Sequence, residues 1–468
     1  MSITNAFVSS RSGLAATAAW SDVTANNIAN ADRAGYARRG LSLTSGLGGS
    51  GVQVEGIRRD VDGALDRMHR TEMSRTATQD AIAGGLEVHT ALLGAPDDPF
   101  SIPGRITALQ TSLDQLSNDP AQPALQRASL DAAAAVTSGL NSADATLKEA
   151  AADTRAGVKT DVATLNRLLA KTAELGLALA VQEPGTRNSA MLEDSLASNL
   201  DQMSELIDLR IQREPNGGIT VYTAGGTPLI EGDRVQTLAF PDGDGRLFAG
   251  DAEITPGVAG ARGFEEGRLA GRISLLNDVL PRMQLQLDET ARMLVVSFTA
   301  ADPGLGPDEQ GLFVDSGGLL NPTGLAERLA INADVRGPGG DSLWRMRDGV
   351  SAVAPGPESD STHVERMIGA FDVVHAIPSQ VGLGTQAKLT DFVPAAIADQ
   401  QVTRTAALGR ADALRAGAEG LETARLGFQG VNVDDELQQL AAIEQSYAAN
   451  AVMMRTLGEM IDTLLAAV

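Results

Sequence analysis

At 468 residues the chain is about three times a typical domain length, so two to four packed units are expected. Its 37 basic and 60 acidic side chains leave a formal charge of -23, which would repel a phosphate backbone and argues against nucleic-acid binding. With no cysteine, disulfides, thiolate catalysis and cysteine-held metals are excluded, and with 3% aromatic residues stacking platforms are scarce.

The amino terminus, MSITNAFVSSRSGLAATAAW, lacks the basic stretch and continuous apolar run of a cleaved secretory signal. No run of 18 or more uncharged apolar residues occurs, so no membrane insertion is expected. Ile3, Phe7, Ser10, Leu14, Thr17, Ser21, Thr24 and Ile28 follow one another at steps of four and three. That spacing predicts a helix whose seam is lined by unusually small residues.

Gly46, Gly48 and Gly51 have the spacing of a dinucleotide-binding turn, but Val52, Val54 and Ile57 alternate where such a turn needs a helix. A turn leading into a strand is the better reading. From Val61 to about Arg213 the pattern is helical, broken at Asp119-Pro120 with Gln122-Pro123 and again at Glu183-Pro184-Gly185-Thr186. Short strands are then expected around Ile219 and Val221, Leu229 and Ile230, and Val235 to Leu238, because glycine turns separate them.

Helical spacing returns over 265–300 through Leu269, Ile273, Leu276, Leu280, Leu287 and Leu294, with Pro281 marking a kink or break. Residues 301–360, rich in Gly, Pro and Asp, read as loops with a few strands. Helices resume from Ser361 and lead into a last helix that starts near Asp434, where Asp434, Asp435 and Glu436 suit a helix amino terminus. In that helix Leu437, Leu440, Tyr447, Ala451, Met454, Ile461, Leu465 and Val468 occupy the seam positions of one heptad frame. Glu444 and Gly458 interrupt the frame. Strands in the middle thus look inserted into a helical frame, giving an α+β, mainly α chain.

The side-chain chemistry is sparse. Asp242, Asp244 and Glu253 have the outer spacing of a calcium loop, yet Arg246 stands where a ligand belongs and Leu247 where a glycine belongs, so a hairpin turn is preferred. His69, His89, His363 and His375 show no paired metal-ligand spacing. No nucleophile elbow, Walker loop or carboxylate pair stands out. No catalytic, cofactor-binding or metal-binding residue is therefore assigned, and no cofactor is expected.

The segment 22–39, DVTANNIANADRAGYARR, carries ANNIANA followed by GYARR. It resembles the amino-terminal signature of bacterial flagellar rod, hook and hook-associated proteins, through Asn26, Asn27, Ile28, Asn30, Gly35, Tyr36 and Arg38. Physically these residues suit a helix end that folds back: the asparagines can leave a helix, Gly35 permits the turn, and Tyr36 with Arg38 can anchor the returning chain. SGVQVEGIRRDVDGALDRMHR at 50–70 and GVNVDDELQQLAAIEQSYAANAVMMRTLGEMIDTLL at 430–465 are similar to the same family, and SNDPAQPALQRASL at 117–130 agrees more loosely.

The resemblance implies an elongated multi-domain subunit with amino- and carboxyl-terminal coiled-coil helices, a helical middle domain and a strand-rich inserted domain. The corresponding division is 1–60 with 425–468 for polymerisation, 61–212 with 262–300 and 361–424 for the helical domain, and 213–261 with 301–360 for the strand-rich region. Subunit contacts are expected at Ile3, Phe7, Leu14, Ile28, Leu437, Leu440, Tyr447, Met454, Ile461 and Leu465. The implied partners are further copies in a ring or sleeve, the hook protein, and a second junction protein that leads to the filament. An export chaperone on the carboxyl-terminal helix and the flagellar export apparatus are implied as well. Location would be the extracellular flagellum, at the hook-filament junction, reached without a cleaved signal peptide. A hook or distal rod protein, or a secreted enzyme or adhesin using flagellar export termini, are the alternatives.

Overall fold

The computed structural model describes residues 3–33, 35–46, 51–214, 218–318, 320–336 and 342–466. In chain order it contains α1 (Ile3–Ala29), the strands β1 (Arg39–Ser45) and β2 (Val52–Arg59), and α2 (Gly63–Gly85), α3 (Glu87–Leu93), α4 (Ile102–Asn118), α5 (Pro123–Ala180) and α6 (Arg187–Leu206). Seven short strands follow: β3 (Leu209–Arg213), β4 (Ile219–Thr223), β5 (Pro228–Glu231), β6 (Arg234–Val235), β7 (Leu238–Ala239), β8 (Phe248–Ala249) and β9 (Ala252–Glu253). Next come α7 (Arg268–Ser274), one π-helical stretch (Leu275–Val279) and α8 (Leu280–Ala300). Beyond lie β10 (Phe313–Asp315), α9 (Leu325–Arg328), β11 (Leu329–Ile331), α10 (Ala333–Arg336), α11 (Arg345–Asp348), α12 (Thr362–Gly369), β12 (Val374–Ala376), β13 (Gln386–Lys388), α13 (Leu389–Gln429) and α14 (Val433–Ala466). The chain is α+β and mainly α. Among the described residues no helix is long and apolar enough to cross a membrane.

The helix boundaries follow from local chemistry. Ser101 and Thr186 cap α4 and α6, their hydroxyls accepting from the Gly104 and Ser189 amides, while Pro123 opens α5 where its missing N–H costs nothing. The expected breaks at 119–123 and 183–186 are the corners on either side of the 58-residue α5. Pro281 sits in the first turn of α8, directly after the π-helical stretch, so the helical path is wound differently there instead of being broken.

The chain forms two compact units, one of Met1–Ala77, Asp161–Ala270 and Ala411–Val468 and the other of Thr78–Thr160 and Gly271–Arg410. In the first, β3–β6 and β7–β9 are small antiparallel sheets. The Asp242–Glu253 stretch there is a hairpin region in which Arg246 pairs with Glu253. Gly46 and Gly51 flank residues outside the described set, with Gly48 among these, and β2 does follow them.

The second unit is built around α8, nearly all of whose inner face is buried. Phe298 meets Phe313 and Phe371 edge-to-face, with ring centroids at 4.9 and 5.5 Å. Leu109, Leu113 and Leu116 of α4, Leu140 of α5 and Phe392 of α13 complete one apolar cluster. Three buried aspartates brace the described part of the irregular 301–360 region, Asp288 by tying it to α8 and Asp302 and Asp315 from within. Asp288 accepts from the Gly324 and Ala326 amides, Asp302 from Ser351, and Asp315 from both guanidinium arms of Arg328 at 2.9 and 3.0 Å. These anchors hold the described residues of a segment with few strands. The pair β12–β13, between α12 and α13, lies where the sequence reading had only helices.

The Arg328 hydrogen bonds hold the Asp315 carboxyl at about 2, below the ordinary 3.8. Because the unfolded carboxyl binds protons more readily, this pair contributes its stability above about pH 4 and loses it as pH falls through about 2. Asp315→Asn is expected to cost about 2 kcal/mol at pH 7 in urea unfolding and to remove that acid dependence.

All four histidines titrate below their ordinary 6.5, in each case chiefly because burial disfavours the charged ring. His89 is fully buried, with Nε2 donating to Gln400 Oε1 and Nδ1 facing the Thr146 hydroxyl, both at 2.8 Å. Gln400 in turn donates to Gln286, and Gln286 to Asp399. Below about pH 6.5 the unfolded chain takes up protons that the folded chain resists, so stability falls with pH there. Urea midpoints measured between pH 7.5 and 5 should decline, and His89→Gln should flatten the decline.

Candidate functional site: the terminal helix clamp

In the first unit α1 and α14 pack on each other. Asn27 faces Glu436, and Gly13 faces Asn450, so the two helices run antiparallel. The packed line on α1 is small: Ser10, Ala16, Thr17, Val23 and Thr24 are buried. On α14 the buried residues are Glu436, Ile443 and Leu457.

The ANNIANA…GYARR residues form the end of this pairing. Asn27 is buried and uses its whole amide: Nδ2 donates to the Arg39 carbonyl at 2.9 Å and to Glu436 Oε2 at 3.1 Å, while Oδ1 accepts from the Tyr36 hydroxyl at 2.9 Å and the Arg39 amide at 3.1 Å. Arg38 Nε donates to the other Glu436 oxygen at 2.8 Å, and its amide donates to the carbonyl of Gln429, at the end of α13. Gly35 turns the chain at φ 77°, a conformation that side chains resist. Asn26 and Asn30 bond carbonyls one turn back, at Asp22 and Asn26, as residues leaving a helix do. Glu436 is 1% exposed with both oxygens held. The Glu436 hydrogen bond pushes the Arg38 guanidinium above its ordinary range, and burial pushes the Tyr36 phenol up.

The β1–β2 hairpin is fastened next to the clamp. Arg39 and Arg59 are cross-strand partners, both nearly buried, and both reach Asp194 of α6, at 2.9 and 2.8 Å. Arg39 also stacks over the Tyr36 ring at 4.8 Å. Gly56 lies against Gly185, where an added Cβ would stand 3.0 Å from backbone atoms, and Ile57 donates to the Gly185 carbonyl at 2.7 Å. Behind it Arg70 and Arg425 share Asp201, with Asp66, Glu422 and His69 around them. These charges neutralise one another across three helices, which is the behaviour of a structural ion-pair network.

Of the expected contact residues, Leu14, Ile28, Leu440 and Met454 are half-buried between or beside the helices. Phe7, Leu437, Tyr447, Ile461 and Leu465 are exposed, Leu465 at 71%. The side chain of Ile3 lies outside the described residues. The packed line of α14 therefore runs one step around the helix from the apolar frame read in the sequence, through Glu436 and Asn450, whose polarity concealed it. Glu436 was legible only indirectly: Asn27 and Arg38 are both donors, and donors held beside a buried helix end need an acceptor. Arg39, Arg59 and Asp194 gave no signal of their role.

Three family descriptions match the chain: "Flagella basal body rod protein" over residues 8–36, "Flagellar hook-associated protein FlgK helical domain" over 91–306, and "Flagellar basal body rod FlgEFG protein C-terminal" over 425–467. The chain is thus similar to bacterial flagellar rod and hook-associated proteins at both ends and through its helical middle. Among the curated relatives it is similar to, hook-associated protein 1 recurs. The chain is 27% identical to flagellar hook-associated protein 1 of Bacillus subtilis (strain 168) over 236 residues, 47% of this chain and 46% of that protein. The same-named protein of Salmonella typhimurium (strain LT2) is 23% identical over 239 residues, 49% of this chain and 43% of that one. The matched stretch thus spans a little under half the length of each relative. A solved structure, the flagellar hook junction protein FlgK from Burkholderia pseudomallei, aligns at a TM-score of 0.44 and 20% identity over 53% of this chain and 46% of that chain.

Proposed function

We propose that this chain is a structural, non-enzymatic subunit that self-associates through α1 and α14 at the junction between flagellar hook and filament, where it is needed for filament assembly. The observation that carries the reading is the large apolar surface the paired helices leave uncovered: Val452, Met453, Met460, Ile461, Leu464 and Leu465 on α14, with Phe7 and Val8 on α1. A stable free protein seldom displays so many large apolar side chains on adjoining turns unless a partner covers them. Neighbouring copies in a ring or sleeve are that partner, and the likeness to flagellar hook-associated proteins favours the junction as its place.

On this reading residues 1–60 with 425–468 form the polymerisation part, 61–212 with 262–300 and 361–424 the helical part, and 213–261 with 301–360 the outer part. The hook protein lies on one side, and a second junction protein, leading to the filament, on the other. The flagellar export apparatus delivers the chain outside the cell without a cleaved signal, a chaperone covering α14 beforehand. Immunogold labelling of sheared flagella tests the location. Label confined to the hook-filament boundary is the expected result, whereas label along the hook, or at its base, would assign the chain to the hook or distal rod, a reading that the rod-type descriptions of both termini make the chief competitor.

A further inference from the structure

The contact between α1 and α14 repeats every seven residues. Glu436, Ile443, Asn450 and Leu457 stand seven apart on α14, the first, second and fourth of them buried. On α1 the buried Ser10, Thr17 and Thr24 are seven apart, as are the buried Ala16 and Val23. Asn27 and Gly13, fourteen residues apart, meet Glu436 and Asn450, also fourteen apart. A seam this regular, lined on α1 by hydroxyls and methyls, specifies its register poorly, since a slip of one heptad exchanges one small residue for another.

The slip has one available direction. Only residues 430–432 separate α13 from α14, too short a connection for α14 to move a heptad away from α13. Unwinding its first two turns into the connection would let it move the other way, toward α13, setting Ile443 opposite Asn27 and Leu457 opposite Gly13. Apolar contact would change little. What would be lost is the carboxylate that Asn27 and Arg38 hold: Asn27 Nδ2 would face an isoleucine, and Arg38 would lose its 2.8 Å partner. Asn27 is fixed in advance by Tyr36 and the Arg39 amide on its other side, so it cannot turn away to compensate.

We propose that Glu436 is the register pin of the terminal helix pair, and that the amino-terminal signature acts in this chain as the receptor for that single carboxylate. Glu436 thereby decides which residues of α14 face inward and which are presented to other molecules. A lone polar residue in a heptad seam sets alignment in the same way, at some expense of stability. The inference concerns the isolated chain and stands or falls independently of where in the flagellum the protein resides.

Because the chain has no cysteine, two introduced thiols report on one contact alone. Gly13→Cys with Asn450→Cys reads the native register, and Gly13→Cys with Leu457→Cys reads the slipped one. With Glu436 present, the first pair should oxidise readily and the second about tenfold more slowly or not at all. With Glu436→Ala, crosslinking of the 13–457 pair should rise at least about tenfold while that of the 13–450 pair falls. Glu436→Gln, which keeps a partner for Asn27 but not the charge for Arg38, should fall between. Circular dichroism on each variant reports that the helices remain. Crosslinking at 13–450 that is indifferent to residue 436 would overturn the proposal. So would loss of both crosslinks with helicity kept, since Glu436 would then be holding the helices together and not aligning them.

Discussion

Ile461→Asp is expected to weaken the proposed self-association of the purified chain by about a hundredfold or more and to leave both compact units folded. Ile461 is 36% exposed on the outward side of α14, beside Met460 and the still more exposed Leu464 and Leu465. In the free chain an aspartate there stays hydrated and costs little. Covered by another copy, the same carboxylate would be buried without a partner, at several kcal/mol. Since about 1.4 kcal/mol is a tenfold change, association should weaken by about a hundredfold or more. Sedimentation of wild type and variant over a concentration series measures this. Two tryptophans, Trp20 in one unit and Trp344 in the other, report separately that each unit keeps its fold. Association unchanged in the variant would move the interface away from this face. Met454→Asp is the informative contrast: already half-buried in the free chain, it should loosen the helix pair there as well.

Phe298→Ala is expected to destabilise the second unit by about 3–5 kcal/mol, the largest single loss anticipated within it. Phe298 is 1% exposed and touches two further rings, Phe313 and Phe371, which belong to segments far apart in sequence. Truncation removes both edge-to-face contacts and opens a cavity that a backbone held by Asp288, Asp302 and Asp315 has little freedom to close. The measurement is urea unfolding followed by Trp344 fluorescence in a Trp20→Phe background, so that only this unit is seen. A loss below about 1 kcal/mol would mean that the three rings do not form the centre of that unit.

The sequence conveyed the helices well because their signals are local. Pro120 and Pro123 ended and reopened a helix where expected, Thr186 capped the next, and the acidic Asp434–Glu436 turn marked the start of α14. The strands between Ile219 and Leu238 were visible through the glycine turns around them. The strand pair β12–β13 was missed because three residues on each side carry too little alternation to register. The ordering of 301–360 was missed for another reason: Asp288, Asp302 and Asp315 act through contacts with amides, a serine and an arginine up to 49 residues away, which no periodicity encodes.

At the clamp, the signature residues themselves were legible and their partner was not. Asn27, Tyr36 and Arg38 announced a folded-back helix end, but the acceptor lies 409 residues further on from Asn27. Glu436 had been accounted for as one of three charges suited to a helix amino terminus, an explanation sufficient for Asp434 and Asp435, which are exposed. Hydrophobic patterning also favoured the outer line of α14, through Leu437, Tyr447 and Ile461, over the inner one. On that inner line the chain packs a buried carboxylate and a half-buried asparagine where a simple coiled coil would bury leucines.

The most direct test of the account is electron microscopy of cells lacking this gene, together with an assay for flagellin in the medium. Intact hooks without filaments, and flagellin lost to the medium, are the predicted result. Cells that still carry normal filaments, or that lack hooks altogether, would contradict a role at the hook-filament junction.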